Sequence, residues 1–398
     1  MLNHFSCKDL VDKTLLIITP DYPNTDNQYI GEIYVKRQLD ELKKYFGKIV
    51  VIAPVPFSWG ILDQDRLCQN YHYDNVSVYY PRCLFLPRSL SFPLLEGLRP
   101  YLDARPHVVE RLIEREGIHF DIIHTHFTWP SAYIGTRLKK TYKKPIVATI
   151  HEDSDWLNEE IEQNHPYVVS AWEQADALIR VNKKDVPALK RYNPNTSSIP
   201  NGYGPDFKPM EMQRCRQQLH LPKDKKVIFS LGALIERKGF NYLIDAMKLV
   251  SEERKDVVCY IGGSGPLKDA LNRQIEDSNL TSCIKLVGFI PDELLPIWMN
   301  ACDLFVLPSL AESFGIVQIE ALACGKPVVS ARNSGSEEVI ASEEYGLLAK
   351  PADPSDLAEK IFTALGREWD SKKIVTYAQQ YTWTNIANRI VQVYNAVL

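Results

Sequence analysis

Two glutamates eight positions apart carry the strongest chemical signal in the chain. Glu312 and Glu320 stand in P-S-L-A-E-S-F-G-I-V-Q-I-E-A-L-A-C-G-K-P-V-V, from Pro308 to Val329. A strand over Leu304–Leu307 should end in a loop holding Glu312, Ser313, Phe314 and Gly315. A helix should follow from about Ile316 and stop at Gly325, a residue that accepts the left-handed terminating conformation. The helix start offers free N–H groups and a positive dipole end, which suits a phosphate. Glu320 sits about one turn inside, and its two acceptor oxygens could take both hydroxyls of a ribose. Glu312 could take hydroxyls of a second sugar. The plain alternative is a loop acid and a solvated helix acid.

Two cations form the second constellation. Gly232-Ala-Leu-Ile-Glu-Arg237-Lys238-Gly239-Phe240 follows a strand and places Arg237 and Lys238 where a helix begins. Cations are disfavoured at a helix start, so their position makes sense with an anion in front of them. A pyrophosphate that gains charge as it leaves is a natural partner. The alternative is a solvated loop end. A third stretch, Ile261-Gly-Gly263-Ser-Gly265-Pro266, reads as a tight strand-to-helix turn near the ligand. It fits a dinucleotide site but lacks the third glycine and the acid about 20 positions on.

Three histidines end strands: His124 and His126 in D-I-I-H-T-H, and His151 in A-T-I-H-E-D. Residues i and i+2 of a strand face one way, so His124 and His126 could meet one metal. No third ligand is fixed by local spacing, and the expectation is a polar cluster with no metal.

The elements behind these groups follow from periodicity. In the first half, apolar runs at Thr14–Ile18, Lys48–Ile52, Val76–Tyr80, Asp121–His124, Ile146–Ile150 and Ala177–Val181 read as parallel strands buried on both faces. Glu32–Phe46 carries Val35, Leu39, Leu42 and Phe46 on one helical stripe. The second half restarts with strands at Val227–Leu231, Val257–Ile261, Ile284–Val287, Leu304–Leu307 and Val328–Ser330. A helix over Phe240–Ser251 lies among them. Such alternation gives doubly wound α/β layers. Asn193–Pro209 holds Pro194, Pro200, Gly202, Gly204, Pro205 and Pro209 and reads as a linker. The expectation is therefore two Rossmann-like domains over 1–200 and 201–376, facing across a cleft, with a terminal helix over 377–398. Ligands of such sheets sit beyond the carboxyl ends of the strands.

Composition bounds the rest. The chain has 398 residues, and its net charge is 46 − 50 = −4. That is too acidic for a protein whose main work is coating nucleic acid. Its eight cysteines contain no C-x-x-C pair and read as reduced packing residues of a cytoplasmic protein. The polar first residues, Met1 to Lys13, do not read as a secretory signal. No apolar run reaches about 18 residues, so no spanning helix is expected. Tyr79–Arg99 mixes aromatics with Arg82, Arg88 and Arg99, and Arg137–Lys144 is basic. Such mixtures suit an anionic membrane surface and a peripheral location on the cytoplasmic face. The alternative is a packed loop and a solvated helix face.

Taken together, these residues resemble the retaining GT-B glycosyltransferases of family 4. Besides the Glu312/Glu320 frame, the resemblance is carried by Gly288-Phe-Ile290 followed by Pro291-Asp-Glu-Leu294. Gly335-Ser-Glu-Glu-Val339, Gly346-Leu-Leu348 and Y-T-W-T-N-I-A-N-R-I-V-Q-V-Y from Tyr381 add to it. The resemblance implies that Lys238, with Arg237, neutralises the donor diphosphate and that Glu320 holds the nucleotide ribose. It implies that Glu312 holds donor-sugar hydroxyls, with the amides near Phe314 and Gly315 close by, and that the backbone at Ile290 meets the base. His151 would lie beside the transferred sugar, and Gly31 would let the first domain's backbone approach the phosphates. The terminal helix would cross back to the first domain. The chain departs from the family at three places. Ala233 stands where many relatives carry an arginine, a role Arg237 would take over. The loop before Gly31 is long, with one glycine instead of a pair. Glu152 follows His151 where a glycine is frequent.

The expected reaction is transfer of a sugar from a nucleoside diphosphate sugar to an acceptor hydroxyl, with retained configuration and no metal or resident cofactor. The acceptor would be a carbohydrate or a lipid-linked one, as in polysaccharide or glycolipid biosynthesis. Two rivals stand beside it. Gly263 and Gly265 prompt an NAD-dependent oxidoreductase, and a non-catalytic sugar-nucleotide-binding protein would keep the donor site alone.

Overall fold

Alternate residues of the central strands in the first half face opposite ways, and both sets are buried. Leu15, Ile17, Ile49, Val51, Val76 and Val78 belong to one apolar core, and Leu16, Ile18, Val50, Ile52, Ile123 and Ile146 to another. This two-residue period makes an apolar run stable as a strand covered on both faces. The computed structural model describes residues 10–27, 29, 31–58, 62–84 and 103–398. The chain divides into two units, Met1–Pro200 with Trp383–Leu398, and Asn201–Thr382.

In the first unit the strands are β1 (Thr14–Ile18), β2 (Lys48–Ile52), β3 (Val55–Pro56), β4 (Tyr71–Tyr73), β5 (Val76–Tyr79), β6 (Arg82–Cys83), β7 (Ile122–His126), β8 (Ile146–Ile150), β9 (Ala177–Arg180) and β10 (Thr196–Ser198). The main sheet runs β10-β9-β8-β7-β1-β2-β5-β4, and β3 pairs with β6. All its pairs are parallel except β4 with β5, so an antiparallel edge strand closes a sheet expected to be parallel throughout. The order reverses between β1 and β7, which puts the carboxyl-end crevice between their following loops.

The second unit has β11 (Lys226–Leu231), β12 (Val257–Gly262), β13 (Ile284–Gly288), β14 (Leu304–Leu307), β15 (Val328–Ala331) and β16 (Gly346–Ala349). Its order is β13-β12-β11-β14-β15-β16, all parallel. Counted from β11 this is 3-2-1-4-5-6, the doubly wound dinucleotide-type order. Its reversal lies between β11 and β14, the strands that lead into the Lys238 and Glu312 loops. The Phe240–Glu253 helix buries Phe240, Leu243, Ile244, Met247 and Val250 on the second unit's core.

Several expectations need correction. Asn193–Pro209 is not wholly a linker, because Thr196–Ser198 forms β10, paired parallel to β9. Pro194 and Pro200 flank the strand rather than interrupt its ladder, so dense punctuation here bounds an element. The first helix is shorter than its stripe, Ile33–Leu42, although Phe46 still reaches the core. The tail pattern from Tyr377 is split. Ser371–Ala378 and Gln379–Tyr381 end in the second unit, and only Trp383–Val397 forms the terminal helix. That helix buries Trp383, Ile386, Ile390, Val391 and Tyr394 in the first unit's core with Val35 and Leu39. Full burial of a branched side chain such as Ile386, Ile390 or Val391 contributes about 1.5–3 kcal/mol. Arg389 adds a bond to the Ser198 carbonyl of β10.

Candidate active site

In the second unit three loops are locked together at the reversal point. After β11, a single turn over Glu236–Lys238 ends at Gly239, whose φ is +64°. A Cβ on Gly239 would run into the Pro308 carbonyl oxygen, so this glycine allows the cation loop to lie on the loop after β14. Leu310 N–H donates to the Arg237 carbonyl at 2.8 Å, and Arg237 Nη1 donates to the Ala311 carbonyl at 2.9 Å. From the other side, Gly335 N–H donates to the Glu312 carbonyl at 3.1 Å, and Asn333 Nδ2 donates to the Ser309 carbonyl at 2.8 Å. A Cβ on Gly335 would stand 2.7 Å from the Phe314 nitrogen and 2.8 Å from the Glu312 oxygen. The loop is therefore clamped between two neighbours, and its side chains inherit fixed positions.

Glu312 is buried and receives Lys238 Nζ on Oε1 at 2.5 Å, with Arg237 Nη1 3.9 Å from Oε2. Burial alone would raise its carboxyl, but the Lys238 charge and hydrogen bond, with Arg237, hold it below the ordinary glutamate range. The cation pair that seemed to call for an outside anion thus already faces an internal one. An ammonium has three donors, so Lys238 can hold Glu312 and still address a second anion. Arg237 is more open, with its side chain 41 % exposed.

The helix after this loop is Ile316–Ala323, and Gly325 follows at φ +72°. It has no side-chain cap and no acid in its first turn. Its N-terminal amides and dipole are thus open to a ligand's negative charge. Glu320 lies inside this helix, 2 % exposed, so it is no solvated helix acid. The Phe314 ring is buried against Tyr381, leaving its backbone, not its ring, for a ligand. Ile290 is buried after β13, and its side chain fills the space over Gly262.

Gly263 and Gly265 have a packing reason of their own. A Cβ on Gly263 would meet the Gly232 carbonyl oxygen, and one on Gly265 would lie 2.6 Å from the Leu234 oxygen. The two turns after β11 and β12 need glycine to touch, whether or not a ligand lies near.

In the first unit, β7 and β8 present their histidines on one face. His124 Nδ1 lies 2.6 Å from the Tyr394 hydroxyl of the terminal helix, and Nε2 lies 2.8 Å from Thr149 Oγ1. Both ring nitrogens are thereby engaged, which leaves no lone pair for a metal shared with His126. Among the described residues no group of three or more His, Cys, Asp or Glu could hold a metal ion. His126 Nδ1 lies 2.9 Å from His151 Nε2. Burial first, then neighbouring charge or imidazole, pushes His124 and His151 well below the usual histidine value, and burial pushes His126 to about 3. All three are neutral at physiological pH.

Of the residues around His151, only Glu152 stood out in the sequence, as a departure from the family; Thr128, Arg180, Asp185, Tyr34 and Glu32 did not. Glu152 Oε1 accepts from Thr128 N–H at 2.7 Å, and Arg180 Nη1 donates to the Ile150 carbonyl at 2.9 Å while pairing with Asp185 at 2.6 Å. These bonds fix the turn after β8 that carries His151. Tyr34 packs 5.0 Å from the His151 ring, and Glu32 precedes it on the same helix start. Burial, opposed by a Tyr34 bond and aided by Asp21 and Glu152, raises Glu32 to about 7. An acid directly after Gly31 was the available signal. Gly31 itself has φ +47° and lies against the Tyr22 backbone.

The membrane-surface candidates are mostly outside the described residues. Arg88 and Arg99 fall there, while Arg82 is half-buried and donates to the Cys68 carbonyl at 3.2 Å. Lys139, Lys140, Lys143 and Lys144 rim a cavity of about 730 Å³ that includes Pro145, at the end of β8 opposite His151. No helix among the described residues is long and apolar enough to cross a membrane.

The comparisons agree with this architecture. The family model for glycosyl transferases group 1 matches residues 211–381, and that for glycosyltransferase family 4 matches residues 63–207. A D-inositol 3-phosphate glycosyltransferase of Corynebacterium jeikeium is 30% identical over 289 residues, 67% of this chain and 69% of that protein. A sucrose-phosphate synthase from Thermosynechococcus elongatus superposes with a TM-score of 0.76 at 23% identity, over 96% of this chain and 98% of that one. Anabaena HepE, solved in complex with UDP-glucose, superposes with a TM-score of 0.70 at 22% identity, over 96% of this chain and 100% of that one. The chain belongs to the group 1, family 4 glycosyltransferases and has their GT-B fold.

Proposed function

We propose that the chain moves a sugar from a nucleoside diphosphate sugar to a hydroxyl of a carbohydrate or lipid-linked acceptor, with retained anomeric configuration. One observation carries this reading: Lys238 and Glu312 are brought together at the sheet's reversal point, beside a helix start with no cap. Glu320 then holds the ribose, and Glu312 the hydroxyls of the transferred sugar. Lys238, Arg237 and the amides of the Ile316–Ala323 helix meet the diphosphate. The complex of Anabaena HepE with UDP-glucose supports a donor of this class.

The chemistry is charge handling. The bond between the anomeric carbon and the phosphate oxygen breaks, and the acceptor oxygen bonds to the same face of that carbon. The acceptor proton passes to the departing phosphate, so no side-chain nucleophile is required. Lys238 and Arg237 offset the charge that grows on that phosphate, a role a divalent ion could otherwise fill. Removing one well-placed donor to developing charge costs about 2.7–4 kcal/mol, or 100- to 1000-fold in rate.

A screen of UDP-, GDP- and ADP-sugars for slow donor hydrolysis tests the reading. We expect one nucleotide class to be turned over, with the α or β configuration of the donor kept in the product and rate unchanged by a chelator. Failure to bind or hydrolyse any of them would overturn the donor site. An inverted product would overturn retention alone.

A further inference from the structure

We propose that Ser336 and Gln318 are positioning residues: the Ser336 hydroxyl keeps the Gln318 side chain from capping its own helix, and so leaves the Gly315 N–H open to a phosphate oxygen of the donor. The last clause rests on the donor reading given above; the rest stands on the geometry of the second unit alone.

Gly315 is the N-cap of the Ile316–Ala323 helix, and Gln318 is the third residue inside it. A glutamine at that place can turn back and take the N-cap N–H on its side-chain oxygen, as in a capping box. Here no side chain caps the helix. Gln318 still leans over the turn. A Cβ on Gly315 would lie 2.3 Å from Gln318 Nε2, so it is the amide nitrogen, not the oxygen, that faces Gly315. Gln318 Oε1 is buried and makes no hydrogen bond. The oxygen that could satisfy itself by capping is turned aside.

A chain of hydroxyls turns it aside. Gln318 Nε2 lies 3.3 Å from Ser336 Oγ, Ser336 Oγ lies 2.8 Å from Ser330 Oγ, and Ser330 Oγ lies 2.9 Å from the Leu307 carbonyl oxygen. All three side chains are fully buried. A carbonyl can only accept, so the Ser330 proton goes to Leu307. Ser330 then accepts from Ser336, whose single proton is thereby used. Ser336 can only accept from Gln318, which must offer its nitrogen. This direction makes all three bonds. With the amide reversed, Ser336 would have to donate to Oε1, and one of the other two contacts would lose its proton. The frame around the chain is fixed. Leu307 and Ser330 are paired across β14 and β15, and Ser336 N–H donates to Asn333 Oδ1 at 2.9 Å.

The consequence is a helix start that presents its N–H groups with no side-chain acceptor of its own. Gly315 is half-buried, so a ligand can reach its amide. Without the Ser336 hydroxyl nothing holds the nitrogen of Gln318 in place. The amide can then reverse, and Oε1 takes the N–H that a phosphate would use.

Hydrogen exchange at Gly315, read by NMR on the full chain labelled with 15N-glycine, tests the first part. The Gly315 N–H should exchange freely in the wild type and distinctly more slowly in Ser336→Ala. Titration with UDP, GDP and ADP tests the second. Whichever diphosphate the wild type binds should bind Ser336→Ala about 10-fold more weakly, as for one lost hydrogen bond to a charged group. Adding Gln318→Met, which has no oxygen to cap with, should restore free exchange and most of the affinity. A role in packing alone predicts a further loss in that double variant, and such a loss would overturn the proposal. Slow exchange of Gly315 in the free wild type would overturn it too, with no variant needed. Slowed exchange in Ser336→Ala with wild-type affinity would overturn the link to the phosphate. Exchange as expected, with none of the three diphosphates bound by the wild type, would leave the capping assignment standing and remove the donor reading instead.

Discussion

Lys238 Nζ and Glu312 Oε1 stand 2.5 Å apart, across loops that follow two strands adjacent at the reversal point of the sheet. The pair has two duties, because the same ammonium that neutralises a buried carboxylate is the group proposed to face the donor phosphate. Lys238→Ala should separate these duties into two measurable losses. Stability should drop by about 3–5 kcal/mol, since a buried acid loses its partner. Turnover should drop 100- to 1000-fold. Adding Glu312→Gln to the variant should recover most of the stability in a denaturant titration and none of the turnover. Recovery of both would make Lys238 a structural residue only.

Gly335 should tolerate no side chain. Its missing Cβ leaves room for the Phe314 nitrogen and the Glu312 carbonyl, and both are backbone atoms that cannot swing aside. Overpacking of this kind costs about 1–3 kcal/mol. The larger effect should be on the loop, where displacement by part of an ångström misplaces the Glu312 carboxylate. We expect Gly335→Ala to lower turnover about 10²-fold while the thermal midpoint shifts by only a few degrees. Unchanged turnover would mean that the Glu312 loop can move without penalty.

The sequence showed the second unit more plainly than the first. Leu304–Leu307 and Gly325 read correctly because a short apolar run and a terminating glycine are local signals. Glu312 and Glu320 read as a pair because their frame is local too. The Glu312 partner was not legible, since Lys238 is 74 positions away and only the sheet order makes them neighbours. The same holds for His126 and His151, joined by strand pairing over 25 positions. The strand at Thr196–Ser198 was hidden by its flanking prolines, which bound it without entering its ladder. Glu152 was noticed as a departure from the family, but its bond to Thr128 depends on a turn with a positive φ that no pattern of residue types announces.

Glu152 should distinguish an acceptor from a charge. Its Oε1 satisfies Thr128 N–H, while burial raises its carboxyl above the ordinary range. Glu152→Gln keeps an acceptor and removes the buried charge. Its stability should match or exceed wild type at pH 8, when read from the urea midpoint. Glu152→Ala leaves the amide without a partner and should cost about 1–3 kcal/mol. Equal behaviour of the two variants would show that the Thr128 bond contributes nothing.

Glu32 should give the protein a measurable pH signature near neutrality. Its carboxyl is raised from 4.5 to about 7, first by burial and then by Asp21 and Glu152, against the pull of Tyr34. Between those two values the folded chain holds a proton that the unfolded chain has released. Folding then takes up a proton, so stability falls as pH rises through this window and levels off above about 7. Its contribution is fully present below pH 4.5 and lost above 7. Asp185 and Glu312 are held low and act in the opposite sense at lower pH, so the comparison must be with Glu32→Gln rather than with a flat line. That variant should lose part of the decline between pH 5 and pH 8 in denaturant midpoint. It should also be the more stable protein at pH 8, where wild type holds a charged acid in a half-buried place. Parallel curves for the two proteins would show that Glu32 titrates as an ordinary glutamate.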